Sequence, residues 1–350
     1  MTTNAKSVTS PTPSCYVCLH GEKAGALMHG GCACRGTSGF AHLSCFIQAA
    51  THSRHWQECP TCGQRFTGKV QYNLARTLWL YTVDRPHQDR DKLIAQDLLA
   101  GALREANRLE EALPLLEDCV AVKTKYLGPG HIETLGSMNH LALLIAEMNR
   151  PRHAATLFQE TLVLMRRSLG HRHVITVACM SNQANFLLDT KEYSKAEPLL
   201  YETLAIRRDT LPDPHPHTLS SLNSLALLLE KKGDYKSAEP LYLEAVEGAR
   251  RLLGDSHPQT MLFKSNYAYL LYKQGKLCEA EHMLVEAFTS QRKLLGLNHP
   301  HTRTTHSGLV VVRRALLEKE FQQKTSTAKS GTTGTLGFAA YTSIRAVKKR

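Results

Sequence analysis

Apolar residues along most of this chain recur at helical spacing, and the pattern itself repeats every 42 residues. One histidine and one threonine mark each unit most clearly. The histidines are His131, His173, His215, His257 and His299, and the threonines are Thr134, Thr176, Thr218, Thr260 and Thr302. Because the period continues over five units without insertion or deletion, it predicts a helical solenoid in which each unit buries its apolar face against the next.

Each unit predicts two helices, called helix A and helix B below, joined by a short turn. Proline follows the histidine at the first position of helix A, where its missing N–H costs nothing, in Pro216, Pro258 and Pro300. Glycines predict the turn after helix A (Gly233, Gly275) and the end of helix B (Gly128, Gly170, Gly254, Gly296). Two alanine columns predict close contact between helices: Ala142, Ala184, Ala226 and Ala268, and Ala154, Ala196, Ala238 and Ala280.

The repeats are predicted to span residues 92–321, as about five repeats with an opening unit at Leu93 to Tyr126 and a capping helix that ends near Glu320. Residues 67–91 are predicted to connect them to the N-terminal segment. This connection contains a helix whose apolar stripe is Val70, Leu74, Leu78 and Tyr81, followed by a charged break from Asp84 to Asp91. The stripe predicts packing against the N-terminal segment or the first repeat.

The N-terminal segment, residues 15–66, has a different pattern, in which potential metal ligands occur in four close pairs. The pairs are Cys15 and Cys18, Cys32 and Cys34, His42 and Cys45, and Cys59 and Cys62. Thiolates and imidazole are the donors of structural zinc sites, and two pairs complete one tetrahedron. We therefore expect two Zn²⁺ ions, each supplying about 10–16 kcal/mol toward the folding of a segment too short for a self-sufficient core.

The ligand order and the single residue between the third and fourth ligands resemble those of the RING-CH (RING-variant) domain. The matching stretches are Cys34-Arg35-Gly36-Thr37-Ser38, Phe40-Ala41-His42 and Cys59-Pro60-Thr61-Cys62. The resemblance implies a cross-brace in which Cys15, Cys18, His42 and Cys45 hold one zinc, and Cys32, Cys34, Cys59 and Cys62 the other. It also implies a ubiquitin ligase that docks a ubiquitin-conjugating enzyme. Val17 and Pro60 match the docking surface, and Arg65 is the nearby basic residue.

Two positions favour a different function for this module. Ala49 stands where RING-type ligases often carry a tryptophan, and Gly63 stands where they often carry a basic residue. The alternative is therefore a non-enzymatic adaptor whose zinc module only binds protein. A histone reader of the PHD type shares the ligand order, but it usually has two or more residues between the third and fourth ligands.

The repeat sequences are similar to the tetratricopeptide repeats of kinesin light chains, which also have a period of 42. The similar stretches are His257-Pro258-Gln259-Thr260, Ser224-Leu225-Ala226-Leu227-Leu228-Leu229, Gly233-Asp234-Tyr235 and Ala238-Glu239-Pro240-Leu241-Tyr242. The resemblance implies that helices A form a peptide-binding surface, on which Asn182 and Asn266 would hold the backbone of a substrate peptide. Together with the basic balance of the chain, it leads us to expect an acidic peptide.

Composition narrows the classes of partner. The formal net charge is +12, but six of the basic residues fall in the polar tail at 322–350, predicted to be disordered, so nucleic-acid binding is not expected. No apolar run reaches the ~18 residues of a membrane span. Residues 1–14 form a polar, disordered head without the apolar core of a secretory signal. These features favour the cytoplasm, with the nucleus as the alternative because of Lys348-Lys349-Arg350.

The sequence therefore predicts a mostly α-helical protein, with a small two-zinc cross-brace domain followed by a solenoid. The leading hypothesis is a soluble RING-CH-type ubiquitin ligase that recruits its substrate through the repeats. No catalytic residue is expected, because such a ligase acts by proximity and orientation rather than through a covalent intermediate. The period-matched histidines lie roughly 10 Å or more apart, too far to share a metal, and are expected to cap loops. Cys119, Cys179 and Cys278 are expected to be buried packing residues.

Overall fold

The structure is a computed structural model that describes residues 15, 27–29, 40–53, 56–58, 66, 68–294, 296–297 and 299–330. The chain divides into two compact units, Met1–Ala196 (unit 1) and Glu197–Arg350 (unit 2). The described residues contain two strands, β1 (Leu27–His29) and β2 (Phe40–His42). They also contain thirteen helices: α1 (Leu43–Ser53), α2 (Gly68–Thr82), α3 (Arg90–Glu105), α4 (Leu109–Leu127), α5 (Ile132–Glu147), α6 (Pro151–Ser168), α7 (Val174–Asp189), α8 (Tyr193–Thr210), α9 (Pro216–Lys231), α10 (Tyr235–Leu253), α11 (Pro258–Lys273), α12 (Leu277–Leu294) and α13 (Pro300–Ser330).

The described part of residues 15–66, called the Cys/His module below, forms a small core together with α2. The two strands pair antiparallel, with Leu27 opposite His42, and α1 follows β2 directly. The buried cluster consists of Cys15, Ala41, Phe46, Ala50, Phe66, Val70 and Leu74. The rings of Phe46 and Phe66 meet edge to face, with centroids 5.5 Å apart. Because Val70 and Leu74 belong to α2, this helix completes the core of the module.

Helix α2 also packs along α3, so the prediction that it contacts its neighbours is confirmed on both sides. Its buried stripe differs at the end, because Tyr81 is 60% exposed and Thr82 is buried instead. A spacing of four residues from Val70 through Leu74 leads to Thr82, one position past Tyr81. The prediction placed the final residue of the stripe one position too early.

The charged break between α2 and α3 is held in place by hydrogen bonds. The buried ammonium of Lys92 donates to the carbonyl oxygens of Val83 and Arg85, at 2.6 and 2.9 Å. Asp89 caps α3 by accepting from the backbone N–H of Lys92 at 2.9 Å. The predicted charged break is therefore an ordered turn, and it fixes the direction in which α3 leaves α2.

The repeats follow the predicted alternation of helices A and B. Helices A are α3, α5 and α7 in unit 1 and α9, α11 and α13 in unit 2, and within each unit consecutive A helices contact one another. All eight alanines of the two predicted columns are fully buried, as expected where two helices approach closely. A larger side chain there would force backbone shifts that typically cost about 1–3 kcal/mol.

The expectation that the period-matched histidines cap loops is confirmed. Each histidine precedes an A helix, and its Nδ1 atom accepts a hydrogen bond from the backbone N–H two residues later, over 3.1–3.3 Å. This satisfies one of the backbone donors that a helix start leaves unpaired. At the other end, Gly128 and Gly254 end α4 and α10 with φ of +92° and +86°, a region that favours glycine.

The predictions of the end of α13 and of the burial of Cys278 need correction. Helix α13 continues to Ser330, past the predicted end near residue 321, because the sequence between residue 321 and Gly331 contains no glycine or proline. Cys278 is exposed, whereas Cys119 and Cys179 are buried. Cys278 lies two positions before the buried Ala280, which places it on the opposite side of α12.

Among the described helices, none combines the length and apolar character that crossing a bilayer requires.

The histidine caps predict that unit 2 loses stability in mild acid. Burial lowers the pKa of His215, His257 and His299 below the ordinary value of 6.5, with smaller contributions from Arg207 at His215 and from His301 at His299. Between the lowered pKa and 6.5 the unfolded chain binds more protons than the folded chain. The free energy of unfolding should therefore be highest above pH 6.5 and fall as the pH drops through this window.

The test is thermal unfolding of the full chain at about pH 7.5 and 5.5, with His257→Asn and His257→Ala as matched variants. Asparagine is a good cap that does not titrate, so His257→Asn should keep the stability at the higher pH and lose part of the pH dependence. His257→Ala should cost on the order of 0.5–2 kcal/mol at the higher pH. An unchanged pH dependence in His257→Asn would show that this cap does not sense protons.

Candidate functional site

Three of the predicted zinc ligands lie together in the Cys/His module. The ligand atoms of Cys15, His42 and Cys45 are all within 4.8 Å of one another. Cys45 Sγ and His42 Nδ1 are 3.9 Å apart. The local fold explains this pair, because His42 ends β2 and Cys45 lies in the first turn of α1, so the strand–helix junction turns both side chains to the same side. Cys15 and His42 are 0% and 5% exposed.

This cluster fits a structural zinc ion in donor type and in spacing. Bonds of about 2.3 Å to sulfur and 2.0–2.1 Å to nitrogen in a tetrahedron place neighbouring ligand atoms about 3.6–3.8 Å apart. The observed separation of 3.9 Å between Cys45 Sγ and His42 Nδ1 is close to this value. The fourth predicted ligand, Cys18, lies outside the described residues.

The other predicted residues of the module also lie outside the described residues. They are the four ligands of the second zinc, Cys32, Cys34, Cys59 and Cys62, and the docking residues Val17, Pro60 and Arg65. Ala49 is described and lies on α1, where it is half-buried. The cross-brace pairing and the docking surface therefore stay predictions.

In each unit, two asparagines on consecutive A helices are hydrogen-bonded to each other, with Asn139 buried and the other three half-buried. In unit 1, Asn182 of α7 donates through Nδ2 to Asn139 Oδ1 of α5 at 3.3 Å. In unit 2, Asn266 of α11 donates in the same way to Asn223 Oδ1 of α9 at 3.0 Å. Each asparagine predicted to bind a peptide is thus joined to an asparagine on the preceding A helix.

The separation between the two asparagines of each pair is slightly longer than the repeat period. The paired residues are separated by 43 positions, one more than the period, so they come from adjacent columns of the repeat. The ion pairs of Arg90 with Glu133 and of Arg104 with Glu147 have the same separation of 43. An offset of one residue is therefore how side chains of consecutive A helices meet in this array.

Buried basic groups near these surfaces are already paired. In unit 1, Lys123 of α4 is 2% exposed, forms an ion pair with Asp97 of α3 and donates to Ser137 Oγ of α5 at 2.9 Å. In unit 2, Lys264 of α11 lies 2.9 Å from a carboxylate oxygen of both Asp255 and Glu286. Because carboxylates neutralise these cations, the basic balance of the chain does not by itself make the surfaces attractive to an acidic peptide.

A cavity of about 600 Å³ opens on the A-helix surface of unit 1. It is lined by residues of α2, α3, α4, α5 and α7, together with Trp56 and Phe66 of the Cys/His module. We call it the junction cavity. It could not be read from the repeat pattern, because part of its wall comes from residues outside the repeats.

Comparisons with known proteins agree with this architecture. Two sequence models, both described as tetratricopeptide repeat, match residues 91–167 and 176–251 and residues 262–301. No curated protein sequence matches the chain.

Similar solved structures include a variant of a Podosopora anserina protein assigned to the kinesin light chains, with nearly identical TPR-like repeats. It is 25% identical over 59% of this chain and 97% of that chain, with a TM-score of 0.51. BtubC (BKLC) from P. vanneervenii is 17% identical over 74% of this chain and 94% of that chain, with a TM-score of 0.51. The apo quorum sensor NprR from B. thuringiensis is 14% identical over 76% of this chain and 66% of that chain, with a TM-score of 0.52. The last two share only the fold.

The repeat models together cover more than half of the chain, and the helices follow the predicted 42-residue alternation. Arrays of this kind present their A helices to peptide or protein partners. This chain belongs to the tetratricopeptide-repeat proteins, with repeats of the kinesin-light-chain type.

Proposed function

We propose that this protein captures an extended peptide segment of a partner protein on its A-helix surfaces. The proposal rests on the two hydrogen-bonded asparagine pairs, which we call the asparagine ladders. They are Asn139 with Asn182 in unit 1 and Asn223 with Asn266 in unit 2. Asparagine is a poor helix former, so its presence on adjacent A helices in both units is consistent with selection for a ligand.

The hydrogen-bonding capacity of these side chains suits a peptide backbone. An asparagine amide offers two donors and one acceptor oxygen. In the described structure Asn182 and Asn266 each use one donor within the ladder, which leaves a second N–H and the Oδ1 atom. A peptide group has one donor and one acceptor, and so it can pair with both.

Replacing both asparagines tests this role. The variant Asn182→Ala with Asn266→Ala should weaken peptide binding by about 1–3 kcal/mol, since each lost hydrogen bond contributes about 0.5–1.5 kcal/mol. The ligand would be a peptide selected from a random library of short peptides displayed on phage, and its Kd would be measured by fluorescence anisotropy on the full chain.

The matched control is Asn185→Ala, which removes an exposed asparagine from the same α7 helix outside the ladder. It should bind the selected peptide with the affinity of the unmodified chain. Helicity by circular dichroism should be the same in all three proteins. Equal affinity in the double variant would refute the ladder as the contact for the peptide backbone.

A finer proposal concerns the Cys/His module. The cluster of Cys15, His42 and Cys45, together with the RING-CH resemblance, favours a soluble ubiquitin ligase of that type. Two structural zinc ions would hold its loops, the first bound by this cluster with Cys18. Val17, Pro60 and Arg65 would face the ubiquitin-conjugating enzyme, and the repeats would hold the substrate.

The position of the module in the fold suits this role. The Cys/His module and the first repeats belong to one compact unit, and α2 packs into both. An enzyme docked on the module and a peptide bound on α5 and α7 would therefore be held at a defined separation. Ligases of this type accelerate transfer by such positioning rather than by new chemistry.

The ligase proposal is tested on the full chain by its zinc content and by discharge of ubiquitin from a panel of charged conjugating enzymes. Two zinc ions per chain are expected by elemental analysis. Val17→Arg should reduce discharge at least tenfold by placing a charge in an apolar contact, while both zinc ions stay bound because Val17 is not a ligand. Arg65→Ala should reduce discharge more than docking.

Two outcomes would reject parts of this proposal. A content of one zinc ion or none would rule out the cross-brace. Two zinc ions with no discharge from any enzyme of the panel, while peptide capture persists, would favour the adaptor alternative. Ala49 and Gly63 would then be the residues that explain the missing activity.

A further inference from the structure

The junction cavity differs from the rest of the A-helix surface because the sequence keeps it open. Gly101 of α3 and Gly136 of α5 both line it. A Cβ atom added at either position would meet nothing within 4 Å outside the local helix backbone. Glycine within a helix costs roughly 0.5–1 kcal/mol relative to alanine. Space that would accept a side chain without a clash is therefore left empty at a cost in stability.

Later repeats carry side chains at the positions that correspond to these glycines. One period after Gly101 the residue is Leu143. The residues one, two and three periods after Gly136 are Ala178, Ser220 and Leu262. The two glycines are therefore particular to the junction cavity and are not a general feature of the repeat.

The walls of the junction cavity combine apolar side chains with an excess of acidic groups. Ile94, Leu98, Ile132 and Ile175 line it, and none of them is fully buried. The ionisable side chains of the lining, histidine apart, are three carboxylates (Asp97, Glu105, Glu133) and two basic groups (Arg104, Lys123). An apolar wall with a negative balance suits a side chain that has a long aliphatic stem and a positive end.

Ion pairs among the described residues neutralise four of these five charged side chains, and the carboxylate of Glu105 is the fifth. Within the lining, Lys123 pairs with Asp97. Arg104 pairs with Glu147, and Glu133 pairs with Arg90. Glu105 is exposed, and the described residues provide it with no ion pair. The negative balance of the cavity therefore rests on Glu105, which can accept a cation from a ligand.

Two buried acceptors of the cavity are not used by the described part of the protein. Asp97 accepts from Lys123 and Ser137 through Oδ2 only, and its buried Oδ1 atom has no hydrogen-bond partner there. The buried Oε1 atom of Gln71 is likewise without a partner. Both atoms are buried, so they make the wall of the cavity more polar, whereas Glu105 is the exposed acceptor that a ligand can reach.

We propose that the junction cavity binds an arginine or lysine side chain of the captured peptide. The aliphatic stem would pack on Leu98 beside Gly101, and the charged end would donate to Glu105, which lies on the same face of α3. This inference rests on the proposed peptide capture and replaces the expectation of an acidic peptide in unit 1. It also gives Trp56 and Phe66 a role in binding, because they form part of the wall.

The test begins with the random phage library of short peptides, selected on the immobilised full chain in a buffer without chelator. Selected peptides should share an arginine or lysine next to an apolar residue. The Kd of one such peptide would then be measured by fluorescence anisotropy. Replacing its basic residue by alanine should weaken binding at least tenfold.

Two protein variants address the cavity itself. Glu105→Lys reverses the charge of an exposed lining residue and should weaken binding of the basic peptide at least tenfold. The matched control, Glu117→Lys, makes the same charge change at an exposed residue of α4 that does not line the cavity, and should bind normally. Gly136→Leu fills the cavity and should also abolish binding, with helicity and thermal unfolding measured to verify the fold.

The outcomes separate this inference from the proposed function. If peptides are selected but have no basic residue in common, or if Glu105→Lys binds the basic peptide as tightly as Glu117→Lys, the cavity assignment is wrong and peptide capture stands. If no peptide is selected by the unmodified chain, peptide capture itself fails and this inference fails with it.

Discussion

The burial of α2 on two sides is the constraint on which unit 1 depends. Val70 and Leu74 of this helix belong to the core of the Cys/His module, while the same helix packs along α3. The module alone has too few apolar residues for an independent core, and a first repeat without a neighbour would expose an apolar face. Because α2 packs against both, it adds apolar residues to the core of the module and covers α3 of the first repeat. It also places Trp56 and Phe66 beside the first A helices.

The chain as a whole is basic, but buried lysines of the repeats are neutralised locally by carboxylates. The net charge of +12 does not make the buried cations of the A-helix surfaces available to a ligand, because Lys123 and Lys264 are paired with carboxylates. A buried cation without a partner would be strongly destabilising, so folding itself requires this pairing. The local balance of the junction cavity, which is acidic, is a better guide to a ligand than the total charge.

Much of the fold could be predicted from the sequence, because it depends on local chemistry repeated at a fixed period. Proline at the start of A helices, glycine at the end of B helices and buried alanine between them each have a steric reason that recurs from repeat to repeat. The histidine caps were predictable for the same reason. The end of α13 was not, since the absence of a breaking residue between 321 and 330 is a weaker signal than the presence of one.

The candidate site was only partly predictable. The RING-CH resemblance predicted that Cys15, His42 and Cys45 lie together, and the structure brings them together. The sequence did not reveal the hydrogen bonds of the asparagine ladders or the junction cavity, which join residues far apart in sequence through the packing of neighbouring helices and the contact of the module with the repeats.

Hydrogen exchange on the full chain, before and after treatment with a strong chelator, tests most directly whether the module and the first repeat depend on each other through α2. If the Cys/His module holds the proposed zinc ions, backbone amides of α2 should lose protection when the chelator removes them, because the core that buries Val70 and Leu74 would lose its support. Amides of α9 to α13 should keep theirs. Unchanged protection of α2, with metal loss verified by elemental analysis, would contradict this dependence.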